Sequence, residues 1–343
     1  MKILICDYKD ELKRNLDYEK NLLMDKFHEC KVDDVTIEVC PYECEEKFID
    51  EIKDVDVLLT AFIPINKHVL ENAPKLKCIS INATGYGNVD IYEAGKRNIA
   101  VCNVKEYCTQ EVAEHTMALM LSMVRGLKSL ERNIENGVWN YQNVCNIERL
   151  AGKTLAIFGL GRIGQAVAKR AKGFDLNIIE VDPYLPKEIG KKLGVKLVSK
   201  EEALKQADII SNHMNATSQN KCYFAIEEFK SMERKPYFLN VGRGECVDEE
   251  ALLEALDKKM IRGAALDVLR EENPDLKNNP LLSCENLYLT PHAAFYSETS
   301  MKELQRISCE NIIYYMTNQE DKVFSLVNSK ELKGREGSEY GFR

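Results

Sequence analysis

Three apolar runs end on residues that can do chemistry. YFLNVGRGECVD (237–248) leads to Arg243 between Gly242 and Gly244, GAALDV (263–268) ends near Asp267 with Glu272 five residues on, and LYLTPHAAF (287–295) leads to His292. An apolar run of this kind reads as a strand covered on both faces, so the arginine falls at the rim of a sheet. Its flanking glycines let the backbone bend sharply or approach a ligand closely. Taken alone, Arg243 is equally a turn arginine in a surface ion pair. Of the five histidines, His292 is the acid/base candidate, because imidazole changes charge near neutral pH. His68 and His115 fall in helical patterns and read as structural or solvated, and His28 lies in a charged stretch. His213, after the run IISN, reads as lining a cofactor site without an evident chemical role.

A second set of residues has the spacing of a phosphate cradle. TLAIFGLGRIGQAVAKRAKGF (154–174) places Gly159, Gly161 and Gly164 directly after a strand pattern and directly before a helical one. In that setting the first glycine makes the tight turn, the second lets a pyrophosphate reach the backbone, and the third permits close packing of helix on strand. Amides at the helix start, around Arg162 and Ile163, then face the phosphates. The next strand pattern, NIIEVD, ends on Asp182, eighteen positions past Gly164. A carboxylate there accepts from ribose hydroxyls and repels a 2′-phosphate, which predicts NAD rather than NADP. The competing reading of Asp182 is a surface acid in an Asp-Pro turn.

These residues need a scaffold, and the chain supplies one twice. Strand patterns fall near 2–6, 35–39, 56–60, 77–82 and 99–102, separated by charged amphipathic stretches. A second series follows near 154–158, 177–181, 208–211, 237–241, 263–268 and 286–289. Strands alternating with helices imply parallel sheets covered on both faces, so the fold class is α/β with two doubly wound units. Between the series, one long helix is predicted from about Thr109 to Asn136. The segment after about Asn328 reads as disordered.

Composition narrows the function. The 343 residues are 45% hydrophobic, enough for roughly two domains. A net charge of -8 without a basic block argues against nucleic acid as a partner. The longest apolar segments are interrupted by Glu, His or Arg, against a membrane span. The N-terminal apolar run is too short for a signal peptide, and twelve cysteines then point to a reducing, cytoplasmic setting. Most of them sit in apolar runs as small hydrophobes. Cys40 and Cys44, with His28 and Cys30 upstream, are the nearest approach to a metal pattern, but zinc sites show tighter paired spacings, and no metal is expected.

NATGYGNVDI, AVCNVKEYCTQEVAEHTMALML, LAGKTLAIFGLGRIGQAVAKRAKGF, NVGRGECVDEEAL, GAALDVLREENP and LTPHAAFYSE, in this order, resemble the NAD-dependent D-2-hydroxyacid dehydrogenases, from about Asp54 to Asn318. The resemblance implies a Rossmann NAD-binding domain (104–295) inserted into a flavodoxin-like substrate domain (1–103 and 296–343), with the reactants in the cleft between them. It implies that Arg243 binds the substrate carboxylate and carbonyl, that His292 is the acid/base and that Glu272 orients and charges it. Gly85 and Tyr86 would belong to the substrate loop. His213, Val241, Gly242, Arg243, Asp267 and His292 would line the cofactor. The chemistry agrees, because reducing a 2-oxo acid needs a hydride, a proton for the carbonyl oxygen and a fork of donors for the carboxylate. The helix after Thr109 resembles the dimerisation element of the family, implying a homodimer.

Three departures qualify the resemblance. Asn273 stands between Glu272 and Pro274, Asn215-Ala216 replaces a common Pro-Leu near His213, and Thr60–Pro64 lacks the arginine of phosphoglycerate-binding members. The last disfavours a phosphorylated substrate; glyoxylate, hydroxypyruvate or an apolar 2-oxo acid is expected. PHAAFYSE and AVCNV also resemble the carboxy-terminal-binding-protein corepressors, in which NADH binding controls assembly. The short tail and the absence of a basic cluster weigh against that alternative.

Overall fold

The computed structural model describes residues 1–144 and 147–332. The chain forms two compact units, one from residues 1–107 together with the chain from Ser297 onward, the other from Cys108 to Tyr296.

The first unit is built on five strands, β1 (Lys2–Asp7), β2 (Thr36–Pro41), β3 (Val57–Thr60), β4 (Cys78–Ile81) and β5 (Ala100–Cys102). They pair in parallel in the order β2-β1-β3-β4-β5. Parallel neighbours require crossovers, and these put helices on both faces. Leu4, Leu58, Ile79 and Val101 pack on one face with Phe48 and Ile52. Ile3, Ile5, Val57 and Leu59 pack on the other with Leu23, Phe27, Ile312 and Ile313. Only β2, at the edge, loses this continuous burial. The segment from Asn328 onward departs from the expected disorder at its start. Asn328 is fully buried, accepting from the Val101 N–H and donating to the Ile99 carbonyl, and Leu332 packs into the core. Positions 333–343 lie outside the described residues.

The second unit holds β6 (Thr154–Phe158), β7 (Asn177–Val181), β8 (Lys196–Leu197), β9 (Ile209–Asn212), β10 (Tyr237–Asn240), β11 (Gly263–Leu266) and β12 (Leu287–Leu289). All pair in parallel, in the order β12-β11-β10-β9-β6-β7-β8. The strand β8 has no counterpart in the sequence reading, because its two residues are exposed and too few to show a pattern. The long helix expected over 109–136 is instead two, Thr109–Val124 and Leu127–Glu135. Gly126 separates them with φ of 61°, and a Cβ there would lie 2.7 Å from Val144 Cγ1, so glycine relieves both the backbone and the contact at the break. Chain order reverses between β1 and β3 in the first sheet and between β6 and β9 in the second. In open α/β sheets, ligands bind outside the carboxyl ends of strands at such points.

Candidate active site

Because every strand of the second sheet runs the same way, its carboxyl ends form one edge. Along the spatial order β12, β11, β10, β9, β6, β7, that edge carries His292, Asp267, Arg243, His213, the Gly159–Gly164 turn and Asp182. Residues far apart in the chain are thus gathered in a row.

The glycine turn is constrained at two positions and open at the third. Gly159 has φ of 88°, and a Cβ on it would press on the His213 carbonyl carbon and the Met214 nitrogen, each at 3.1 Å. At Gly164 a Cβ would stand 2.3 Å from the Gly159 carbonyl oxygen. At Gly161 it would meet nothing within 4 Å. Gly161 also starts the helix Arg162–Lys172 without a side-chain cap. Open space beside a helix start that has no side-chain cap fits a bound pyrophosphate. Asp182 ties the turn to β7, its carboxylate accepting from the Leu160 N–H at 3.0 Å and the Tyr184 N–H at 3.0 Å. A carboxylate has about four acceptor positions, so these two bonds leave capacity for ribose hydroxyls.

Beside it, β9 and β10 end on a pair of buried asparagines in register, Asn212 and Asn240. The Asn212 amide donates to Asn240 Oδ1 at 2.9 Å, Asn240 Nδ2 donates to the Arg243 carbonyl at 3.0 Å, and the Gly242 N–H donates to Asn240 Oδ1 at 3.2 Å. The turn carrying Arg243 is therefore fixed by its own strand. Gly244 continues it at a point where a Cβ would lie 2.0 Å from the Leu269 carbonyl oxygen, which packs this turn on the chain leading to Glu272. Arg243 is half-buried, and its Nη1 donates to the Gly242 carbonyl at 2.8 Å. Val241 and Gly242 are buried beneath it. His213 lies on the adjoining strand end, its Nε2 2.8 Å from Ser211 Oγ and its buried Nδ1 without a partner among the described residues. Burial pushes this imidazole down to about 3, so it is neutral over the working pH range.

His292 is held in the left-handed backbone region, with φ of 50°. A non-glycine residue persists there only when its surroundings impose it. Here Asp267 does so. Its carboxylate accepts from the Ala293 and Ala294 N–H groups at 2.9 and 3.0 Å and from Thr290 Oγ1 at 2.6 Å, while its carbonyl accepts from the His292 N–H at 2.8 Å. Both Asp267 oxygens thus grip the turn that presents His292. His115 joins this clamp, with Nε2 3.0 Å from Thr290 Oγ1 and 3.6 Å from Asp267 Oδ1. Glu272 Oε2 lies 2.7 Å from His292 Nδ1, so the inserted Asn273 has not displaced it. The partly exposed imidazole then has Nε2 as the nitrogen not engaged by the carboxylate.

Gly85 and Tyr86 belong to the first unit, in the loop after β4. A Cβ on Gly85 or Gly87 would meet nothing within 4 Å, and Tyr86 is exposed. After β3, Phe62 is also exposed, and its loop is anchored by the buried Asp7 at the end of β1. The Asp7 carboxylate accepts from the Ala61 N–H at 2.5 Å and the Phe62 N–H at 3.3 Å. Burial raises the Asp7 carboxyl, and these N–H donors oppose it. Asp7, Asn212, Asn240 and Thr290 were missed in the sequence. A polar residue closing an apolar run was the available signal.

The family model described as D-isomer specific 2-hydroxyacid dehydrogenase, NAD binding domain, matches residues 117–294. The D-3-phosphoglycerate dehydrogenase of Methanocaldococcus jannaschii is 40% identical over 278 residues, 80% of this chain and 52% of that protein; the chain thus spans about half of that relative's length. The glyoxylate reductase of Korarchaeum cryptofilum is 35% identical over 291 residues, 84% of this chain and 87% of that protein. The structure of a D-2-hydroxyisocaproate dehydrogenase superposes with a TM-score of 0.80 at 24% identity, covering 93% of this chain and 98% of that one, a likeness of fold. The chain belongs to the D-isomer specific 2-hydroxyacid dehydrogenases, oxidoreductases that use NAD. No helix among the described residues is long and apolar enough to cross a membrane.

Proposed function

We propose that the enzyme interconverts a non-phosphorylated 2-oxo acid and its D-2-hydroxy acid, with Arg243 anchoring the substrate, His292 moving the proton and Glu272 supporting His292. The observation that carries this reading is the 2.7 Å contact between His292 Nδ1 and Glu272 Oε2 on the strand-end row that also holds Arg243. When bound, NADH supplies the hydride. Gly161, Arg162 and Ile163 would hold the phosphates, Asp182 the ribose, and His213, Val241 and Gly242 would form the wall near the reacting end.

In the reducing direction, the Arg243 fork donates to the carboxylate and the carbonyl oxygen of the substrate. His292 gives the carbonyl oxygen its proton from Nε2, while Glu272 stabilises the charged ring through Nδ1. Asp267 contributes by holding the turn rather than by touching substrate. In oxidation the same ring takes the hydroxyl proton. Gly85 and Tyr86 belong to the same reading as substrate-binding residues.

Substrate choice rests on the loops after β3 and β4. Residues 60–64 contain no cation, and Phe62 and Tyr86 present aromatic surface, which suits glyoxylate, hydroxypyruvate or an apolar 2-oxo acid. The D-3-phosphoglycerate dehydrogenase relative supports a second reading, a phosphorylated hydroxy acid. NADH consumption measured with glyoxylate, hydroxypyruvate, pyruvate, 4-methyl-2-oxopentanoate, phenylpyruvate and 3-phosphohydroxypyruvate separates them. A kcat/KM highest for the phosphorylated acid contradicts the proposal. The same reading includes a homodimer. The helix Leu127–Glu135 buries none of its residues, and Leu127, Ile134, Trp139 and Tyr141 are exposed, with Trp139 92% accessible. Four large apolar side chains exposed within fifteen residues of chain support the homodimer reading. Light scattering should give twice the chain mass, and Trp139→Glu should weaken the association.

A further inference from the structure

Away from the strand-end row, the first unit contains a built pair of thiols. Cys6 and Cys40 are register partners on the neighbouring parallel strands β1 and β2. Register partners send their side chains to the same face, and strand spacing sets their Cα atoms about 4.8 Å apart, inside the window of roughly 4.4–6.8 Å that a disulfide spans. The two thiols are therefore neighbours on one face of the sheet. Both also line a cavity of about 120 Å³, together with Tyr42, Lys47, Phe48 and Glu51. Cys6 forms its fully buried part, while Cys40 is half-buried. A second pair of cysteines on adjacent strands, Cys78 of β4 and Cys102 of β5, is fully buried and borders no part of that cavity. Proximity alone is thus common to both pairs, and access distinguishes the first.

We propose that Cys6 and Cys40 are a peroxide-sensitive dithiol site, with Cys40 the attacking thiol and Cys6 the resolving thiol of an intramolecular disulfide. Access separates the two roles: Cys40 is the half-buried thiol that an oxidant reaches first, and Cys6 is the fully buried thiol behind it. The Cys40 thiolate attacks one oxygen of hydrogen peroxide. An S–O bond forms, the O–O bond breaks, and the departing hydroxide leaves as water with the proton Cys40 has lost. The Cys6 sulfur then attacks the sulfenic sulfur of Cys40. The S–S bond forms, the S–O bond breaks, and the hydroxyl leaves with the Cys6 proton as a second water. Two thiols are oxidised by two electrons, and one peroxide is reduced to two waters.

The test uses the reduced full-length protein, exposed to hydrogen peroxide, alkylated after unfolding and mapped by peptide mass spectrometry. A Cys6–Cys40 linked peptide should account for most of both residues and disappear on treatment with dithiothreitol, while Cys78 and Cys102 are recovered as alkylated thiols. Cys40→Ser should abolish the linkage and leave Cys6 alkylated. Recovery of Cys6 and Cys40 as free thiols under conditions that oxidise the half-buried Cys44 would overturn the proposal. A disulfide between Cys40 and Cys44 would do so equally.

Discussion

The two units each carry a glycine-rich loop at the carboxyl end of a parallel sheet, and the loops are held in opposite ways. In the turn after β6, Gly159 and Gly164 are there because neighbouring backbone leaves no room for a side chain. In the loop after β4, a Cβ on Gly85 or Gly87 would meet nothing within 4 Å. Packing therefore dictates the first loop whether or not a ligand is bound. The second is tied by its own hydrogen bonds, Val89 N–H to the Tyr86 carbonyl and Asn103 Nδ2 to the Thr84 carbonyl, but sterically demands no glycine at 85 or 87. The proposed cofactor turn is thus fixed by packing, and the loop proposed for the substrate leaves its glycines sterically free.

If the strand-end row of the second unit performs the chemistry, the largest effect belongs to His292. His292→Ala should lower kcat/KM for 2-oxo acid reduction by about 10²–10⁴-fold, with NADH affinity, measured by fluorescence titration, unchanged. A matching loss of NADH binding would assign the residue to the cofactor instead. The contrast between the loops is sharpened by making the same substitution in each. Gly164→Ala should destabilise the protein by about 1–3 kcal/mol, because a backbone carbonyl must move, and should weaken NADH binding.

His213 gives a smaller effect, in stability against pH. Its folded value of about 3 lies below the ordinary 6.5, so the unfolded chain binds the extra proton first. The neutral ring's contribution is complete above about 6.5 and is lost progressively as pH falls toward 3. The drop in Tm between pH 7 and pH 4.5 should be smaller in His213→Gln, by about 3 °C. The smallest effect is expected at Gly85. Gly85→Ala should change stability by no more than about 0.5 kcal/mol, and any change in KM should fall on the oxo acid rather than on NADH. A destabilisation equal to that of Gly164→Ala would erase the distinction between the loops.

Legibility in the sequence followed the same division. The turn after β6 was readable because packing and phosphate binding both demand glycine at fixed spacing, and the continuous apolar runs revealed every strand except the two-residue β8. The end of the long helix at Gly126 was not readable. A glycine among helix formers is tolerated often enough that the break depends on Val144, eighteen residues away. Asp267 was correctly singled out as a strand-end acid, but not as the clamp on His292, since its partners Thr290, Ala293 and Ala294 arrive from the next strand. The buried Glu180 within β7 was invisible for a similar reason. Its carboxyl, raised by burial, sits under Gly190, a contact made only in three dimensions. Sequence reveals which residues end strands; it does not reveal what each then holds.

The claim that the row of strand ends grips and reduces a 2-oxo acid is tested most directly at Arg243. Arg243→Lys keeps the charge and loses the planar fork, and the Asn240 bonds to its backbone are unaffected by the side chain. Steady-state kcat/KM for the best 2-oxo acid should fall at least about tenfold, one lost charged hydrogen bond costing about 1.5–3 kcal/mol, with NADH affinity and Tm unchanged. A lysine variant with near-normal kcat/KM would contradict the account and return Arg243 to a surface turn.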